Sequence, residues 1–145
     1  MPAIYIIAVV LVLLFLIGAY RTMGAGASTD EDPRAVLEAV VATTGEAALA
    51  LVGAQAPVSA ESAHAVRRRL DGCAQALERI AATPVDATLD QARTALEFAV
   101  DELIWSARLV ETPGYGRDEA LKEASRALRD RGTENVAVAR TLIGR

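Results

Sequence analysis

The chain has 145 residues, 52% of them hydrophobic, and its 15 Lys and Arg against 19 Asp and Glu give a formal net charge of −4. The last ~115 residues are available to fold in water, enough for one hydrophobic core and one domain. Net acidity argues against a nucleic-acid partner, and the lone cysteine, Cys73, rules out an intramolecular disulfide and every Cys-x-x-Cys site. Fourteen of the 15 basic residues are arginine, with Lys122 the exception, a bias that fits a high-GC bacterial genome.

Residues 3–20, AIYIIAVVLVLLFLIGAY, carry no charge. As a helix rising ~1.5 Å per residue this run can cross a ~30 Å hydrocarbon core, so residues 1–21 are expected to form a membrane anchor in contact with lipid. The alternative is a cleaved signal peptide, since Ala25-Gly26-Ala27 before Ser28 has acceptable small residues. Against cleavage, the run exceeds the usual ~7–15-residue signal core and no basic residue precedes it. Arg21 and Arg34 follow the run, so the positive-inside bias predicts a single-pass protein of the bacterial cell membrane with its C-terminal part in the cytoplasm.

Residues 22–32, rich in glycine and small residues, read as a flexible linker. Asp32-Pro33 is a helix start, with a capping carboxylate before a proline that has no N–H to lose. A first helix is expected over 33–52 with the seam Leu37, Val41, Thr44, Ala48 and Leu51. A second, capped by Ser59, is expected over 60–82, where Ala63, Val66, Leu70, Cys73, Leu77 and Ile80 alternate by three and four.

Thr83-Pro84-Val85-Asp86 forms the next turn, and Thr88 to Gln91 has capping-box spacing. A third helix over 86–111 carries the seam Leu89, Ala92, Leu96, Ala99, Leu103, Ser106 and Val110. After Thr112-Pro113-Gly114-Tyr115-Gly116, a fourth starts near Arg117 with Leu121, Ala124 and Leu128 inward. Arg131 and Asn135 then fall where apolar residues are expected, beside Gly132-Thr133, before the apolar set resumes at Val136, Ala139, Leu142 and Ile143. A continuous fourth helix of about 27 residues, matching the third, is expected over this fault. The fold class is therefore all-α: an anchor followed by an up-down four-helix bundle over 33–145.

Chemistry is sparse. Glu61 and His64 match the Glu-x-x-His element of di-metal bundles, but His64 is the only histidine and the pair faces away from the seam, so it reads as a surface pair. Cys73 occupies a seam position and reads as a buried small hydrophobe. Arg67-Arg68-Arg69 fan around the helix as a solvated face, and Gly114-Tyr115-Gly116 reads as a turn with an exposed aromatic. No catalytic, cofactor-binding or metal-binding residue is identified.

One feature of the third helix stands out. Phe98, Trp105 and Leu109, at steps of seven and four, lie opposite the seam and form a second apolar stripe flanked by Thr94, Asp101 and Glu102. Either this helix is central and buried on both sides, or the stripe contacts a partner. The function expected is a non-enzymatic, membrane-anchored interaction protein, an accessory subunit or adaptor binding another protein through Phe98, Trp105 and Leu109. The alternative is a self-associating structural protein dimerising through the same stripe, and a small helical enzyme or cofactor carrier is third.

Overall fold

The computed structural model describes residues 31–52 and 58–145. The expected anchor at 1–21, and nearly all of the expected linker at 22–32, lie outside the described residues. Asp32–Arg145 is one compact unit. It is all-helical among the described residues, with four α-helices: α1 (Pro33–Val52), α2 (Ala60–Ile80), α3 (Ala87–Glu111) and α4 (Glu119–Ile143).

Each helix starts where a short polar side chain satisfies the free N–H groups of the first turn. Asp32 Oδ1 accepts from Arg34 N, Ser59 Oγ from Ser62 N, Asp86 Oδ1 from Leu89 N, and Asp118 Oδ1 from Ala120 N and Leu121 N. The cap of α3 is thus Asp86, not Thr88, whose position already lies inside the helix. Two helix ends are closed by arginines from a neighbouring helix, a placement that also suits the negative C-terminal end of the macrodipole. Arg93 Nη1 donates to the Ala81 carbonyl beyond α2, and Arg34 Nη2 to the Ile143 carbonyl at the end of α4. Between α3 and α4, Gly114 takes a left-handed φ of 85° that only glycine adopts freely, and a 3₁₀ turn over Tyr115–Arg117 follows. Tyr115 is half-buried against the core, not exposed as expected.

The seams expected for the first two helices are buried throughout, and so is that of α3 from Ala92 to Val110. Helix α3 buries more than its seam. Val100, Ile104 and Ala107 are also covered, because α3 packs against all three other helices.

The fourth helix is continuous, and its C-terminal half buries Val136, Ala139 and Ile143 as expected, but its N-terminal half is rotated from the expected register. Its buried residues are Ser125, Gly132, Val136, Ala139 and Ile143, while Leu121, Leu128 and Asn135 are half-covered and Ala124 and Arg131 are exposed. The reason lies in the helix pair α3–α4, the most extensive in the fold. Ala92, Ala99 and Ser106 recur every seven residues on α3, and Ser125, Gly132 and Ala139 do so on α4. Ser106 and Ser125 meet, each hydroxyl donating to the other's backbone carbonyl at 2.8 and 3.0 Å, and a Cβ at Gly132 would lie 3.3 Å from the Ala99 carbonyl oxygen. Small residues therefore face small residues along an antiparallel pair whose backbones approach closely, and the two serines satisfy each other in the dry interface.

Among the described residues, one helix is long and apolar enough to cross a membrane by length and composition, and it is α1. Core helices pass the same test, and α1 buries seven residues, among them Leu37, Val40 and Leu51.

Candidate functional site

Helix α3 places the three stripe residues unequally. Phe98 is 61% and Trp105 49% exposed, while Leu109 is half-buried on the shoulder toward α4. At about 100° of rotation per residue, Trp105 points directly away from the buried seam and Phe98 close to it. The helix is thus both central and bare on one side, and the two alternatives for the stripe were not exclusive. The Arg108 guanidinium lies 4.9 Å from the Trp105 ring centroid, a cation–π contact that fixes the indole on the surface.

The antiparallel register set by Ser106 with Ser125 and Glu102 with Asn135 brings Val138 of α4, itself 50% exposed, level with Phe98. Around them the flank is polar and paired: Asn135 Nδ2 donates to Glu102 at 3.0 Å and Arg131 meets the same carboxylate at 3.3 Å. The surface is an apolar strip along α3 inside a charged border, the composition of a contact patch.

The residues with chemical potential are held in the scaffold. His64 does not pair with Glu61; its Nδ1 lies 2.8 Å from Glu111 Oε1 at the far end of α3. Arg67 Nε donates to Glu111 Oε2 at 2.7 Å, so the two helices are tied where α2 begins and α3 ends. The Arg67 hydrogen bond holds the Glu111 carboxyl below the usual carboxylate range against the opposing effect of burial, with His64 adding to it, and the same bond raises Arg67. Arg69 meets Glu46 of α1 at 2.7 Å, so of the three consecutive arginines only Arg68 stands as a plainly solvated cation.

Cys73 is buried at 5% exposure, and burial pushes its thiol up, away from the reactive thiolate. Beside it the Thr44 hydroxyl is fully buried and makes no full hydrogen bond. No group of three or more His, Cys, Asp or Glu side chains is placed to hold a metal ion among the described residues.

Two grooves escape a sequence reading because each is made by two helices. One, of about 460 Å³, lies between α1 and α4 and carries Leu49, 74% exposed, and Val52. The other, of about 300 Å³, lies between α2 and α3 over Leu77, Val100 and Ile104. Heptad seams report which face of a helix is covered, not how far apart two neighbours stand. The chain matches no protein-family model, no curated protein and no solved structure.

Proposed function

We propose that this chain is a non-catalytic, membrane-anchored interaction protein of the bacterial cell membrane. Residues 3–20 are its single-pass anchor, the four helices form an up-down bundle on the cytoplasmic side, and Phe98, Trp105 and Leu109 contact another protein. The bundle topology is supported by antiparallel meetings around the ring: Arg69 with Glu46, Arg67 with Glu111, Ser106 with Ser125, and Arg34 with the Ile143 carbonyl.

The observation that carries the interaction role is the exposure of the chain's sole tryptophan and one of its two phenylalanines on a helix otherwise buried on every other side. A fully covered large apolar side chain contributes about 1.5–3 kcal/mol, so leaving each about half exposed forgoes part of a gain that a partner recovers. Aromatic residues are the usual anchors of such contacts. A non-catalytic role is supported by the occupation of His64 and Cys73 described above.

A second reading, a homodimer through the same stripe, is favoured by its position on one straight helix, where two copies can pack about a two-fold axis. Purification of the full-length protein from its native membrane in mild detergent tests the set. The proposed role expects resistance to alkaline carbonate extraction and a stoichiometric heterologous partner. A pure homodimer by mass selects the second reading. Bound metal or a visible chromophore selects an enzyme or cofactor carrier, and a soluble form beginning at Ser28 removes the anchor.

A further inference from the structure

Helices α1 and α4 are tied at one end only. Among the described residues, their one hydrogen bond is that of Arg34 with the Ile143 carbonyl, where α1 begins and α4 ends, and no ion pair joins them. Further along, the two stand apart over the trough of about 460 Å³. Four of its lining side chains face water: Leu49, 74% exposed, Val52, 55% exposed, Ala42 and Ala137. Its one carboxylate, Glu46, is held by Arg69 of α2. The far end is marked by Arg140, whose guanidinium lies over Gly45, 3.4 Å from where a Cβ would stand. From Val52 to Gly45 the trough runs about 10 Å along α1.

Val52 also lines a second recess, of about 290 Å³, together with Leu51, Val58, Tyr115, Lys122, Arg126 and Arg129. Three of these residues are cations and none is a carboxylate, in a chain of net charge −4. Steps of four and three put Lys122, Arg126 and Arg129 on one face of α4, where like charges oppose helix stability. The Arg126 guanidinium and the Tyr115 hydroxyl have no partner among the described residues. Lys122 and Arg129 reach only Glu119 and Asp130 of their own helix, at 2.8 and 3.2 Å. Those carboxylates are 86% and 61% exposed, and exposed pairs contribute little. The fold thus gains nothing from gathering these cations, whereas an anion does, and the planar fork of arginine suits a phosphate.

A cationic recess joined to a short apolar trough matches an anion with an apolar tail, and cavities of this size take small molecules. We propose that the α1–α4 groove binds a single-chain amphiphile with a phosphate headgroup. The phosphate sits among Lys122, Arg126, Arg129 and the Tyr115 hydroxyl, and the chain runs past Val52 to Leu49 and Ala137. Arg140 limits its length. This site uses none of Phe98, Trp105 and Leu109, so it goes beyond the interaction role and stands or falls separately from it.

The test titrates the full-length protein in zwitterionic nanodiscs with octyl phosphate, octyl glucoside and inorganic phosphate, by calorimetry with empty nanodiscs subtracted. Acylation of Lys122, the only lysine in the chain, is followed beside it by mass spectrometry. Octyl phosphate should bind saturably and in equimolar amount, weaken with salt and protect Lys122 from acylation. Inorganic phosphate should bind about tenfold or more weakly, and octyl glucoside should give no protection. Arg126→Glu should weaken octyl phosphate about tenfold or more while melting at or above the parent temperature, since it relieves repulsion on α4. Arg68→Glu, the same charge change on an exposed arginine of α2, should bind like the parent. Leu49→Gln should weaken octyl phosphate and leave inorganic phosphate unchanged.

No saturable response, equal losses in Arg126→Glu and Arg68→Glu, or equal protection by octyl glucoside overturns the proposal. Equal affinity for inorganic and octyl phosphate reduces the site to a plain anion site and overturns the amphiphile. A co-purified protein that is lost in Arg126→Glu, with no binding of octyl phosphate, makes the occupant a protein and overturns it as well.

Discussion

Gly132 of α4 sits so close to Leu103 of α3 that a Cβ in its place would come 2.8 Å from Leu103 Cγ. A glycine that looks like a helix break is the residue that lets two helices meet. Its loss of helix propensity, about 1 kcal/mol relative to alanine, is the cost of that approach.

Gly132→Ala should therefore destabilise the fold despite its better propensity, because overpacking a tight site costs about 1–3 kcal/mol. Gly72→Ala, in α2 with nothing within 4 Å of the new Cβ, should do the reverse and stabilise by about 0.5–1 kcal/mol. Urea melts of both variants check the pair. Leu103→Ala, which empties the space, should remove most of the penalty of Gly132→Ala in a double-mutant cycle.

These two glycines also show how far the sequence was readable. The seams of α1, α2 and α3 were, because long runs of Leu, Val and Ile at three-four spacing have one way to be covered. The register of the N-terminal half of α4 was not, although Val136, Ala139 and Ile143 were placed inward correctly. There the inward face is built from Ser125 and Gly132, and apolar periodicity gives little weight to a serine and a glycine whose merit is being small. The signal that finds them is the seven-residue recurrence of small residues on two successive helices. For the candidate surface, the outward direction of Phe98 and Trp105 followed from rotation alone. The α2–α3 groove did not, since Glu78 and Glu97 lie nineteen positions apart and only the hairpin register brings them level.

Thr44 buries its hydroxyl at 0% exposure without a full hydrogen bond. An unsatisfied buried polar group costs about 1–3 kcal/mol, so Thr44→Val, which keeps the shape, should raise stability by about 1 kcal/mol or more. Thr44→Ser, which keeps the hydroxyl and removes a methyl, should lower it. Chemical denaturation of the two variants separates polarity from volume.

Glu111 gives the fold an acid-sensitive tie. The Arg67 hydrogen bond lowers its folded-state pKa beneath the unfolded value, so this contribution is fully present above the ordinary carboxylate pKa of about 4.3 and is lost as pH falls through the folded value. Denaturation midpoints measured at neutral pH and near pH 3 should fall further for the parent than for Glu111→Gln, which has no proton to gain. An equal fall in both assigns acid sensitivity to other carboxylates.

The central claim, that α3 presents a contact surface and not a misplaced core, is tested by Phe98→Ser/Trp105→Ser in the full-length protein. Melting temperature by circular dichroism is read beside recovery of the partner from native membranes. The claim predicts lost association with helicity kept and melting temperature lowered only modestly, since Phe98 and Trp105 are about half exposed and give the fold only part of what a buried aromatic gives. Truncating a buried large aromatic costs about 3–5 kcal/mol, so a collapse of the melting temperature would contradict it.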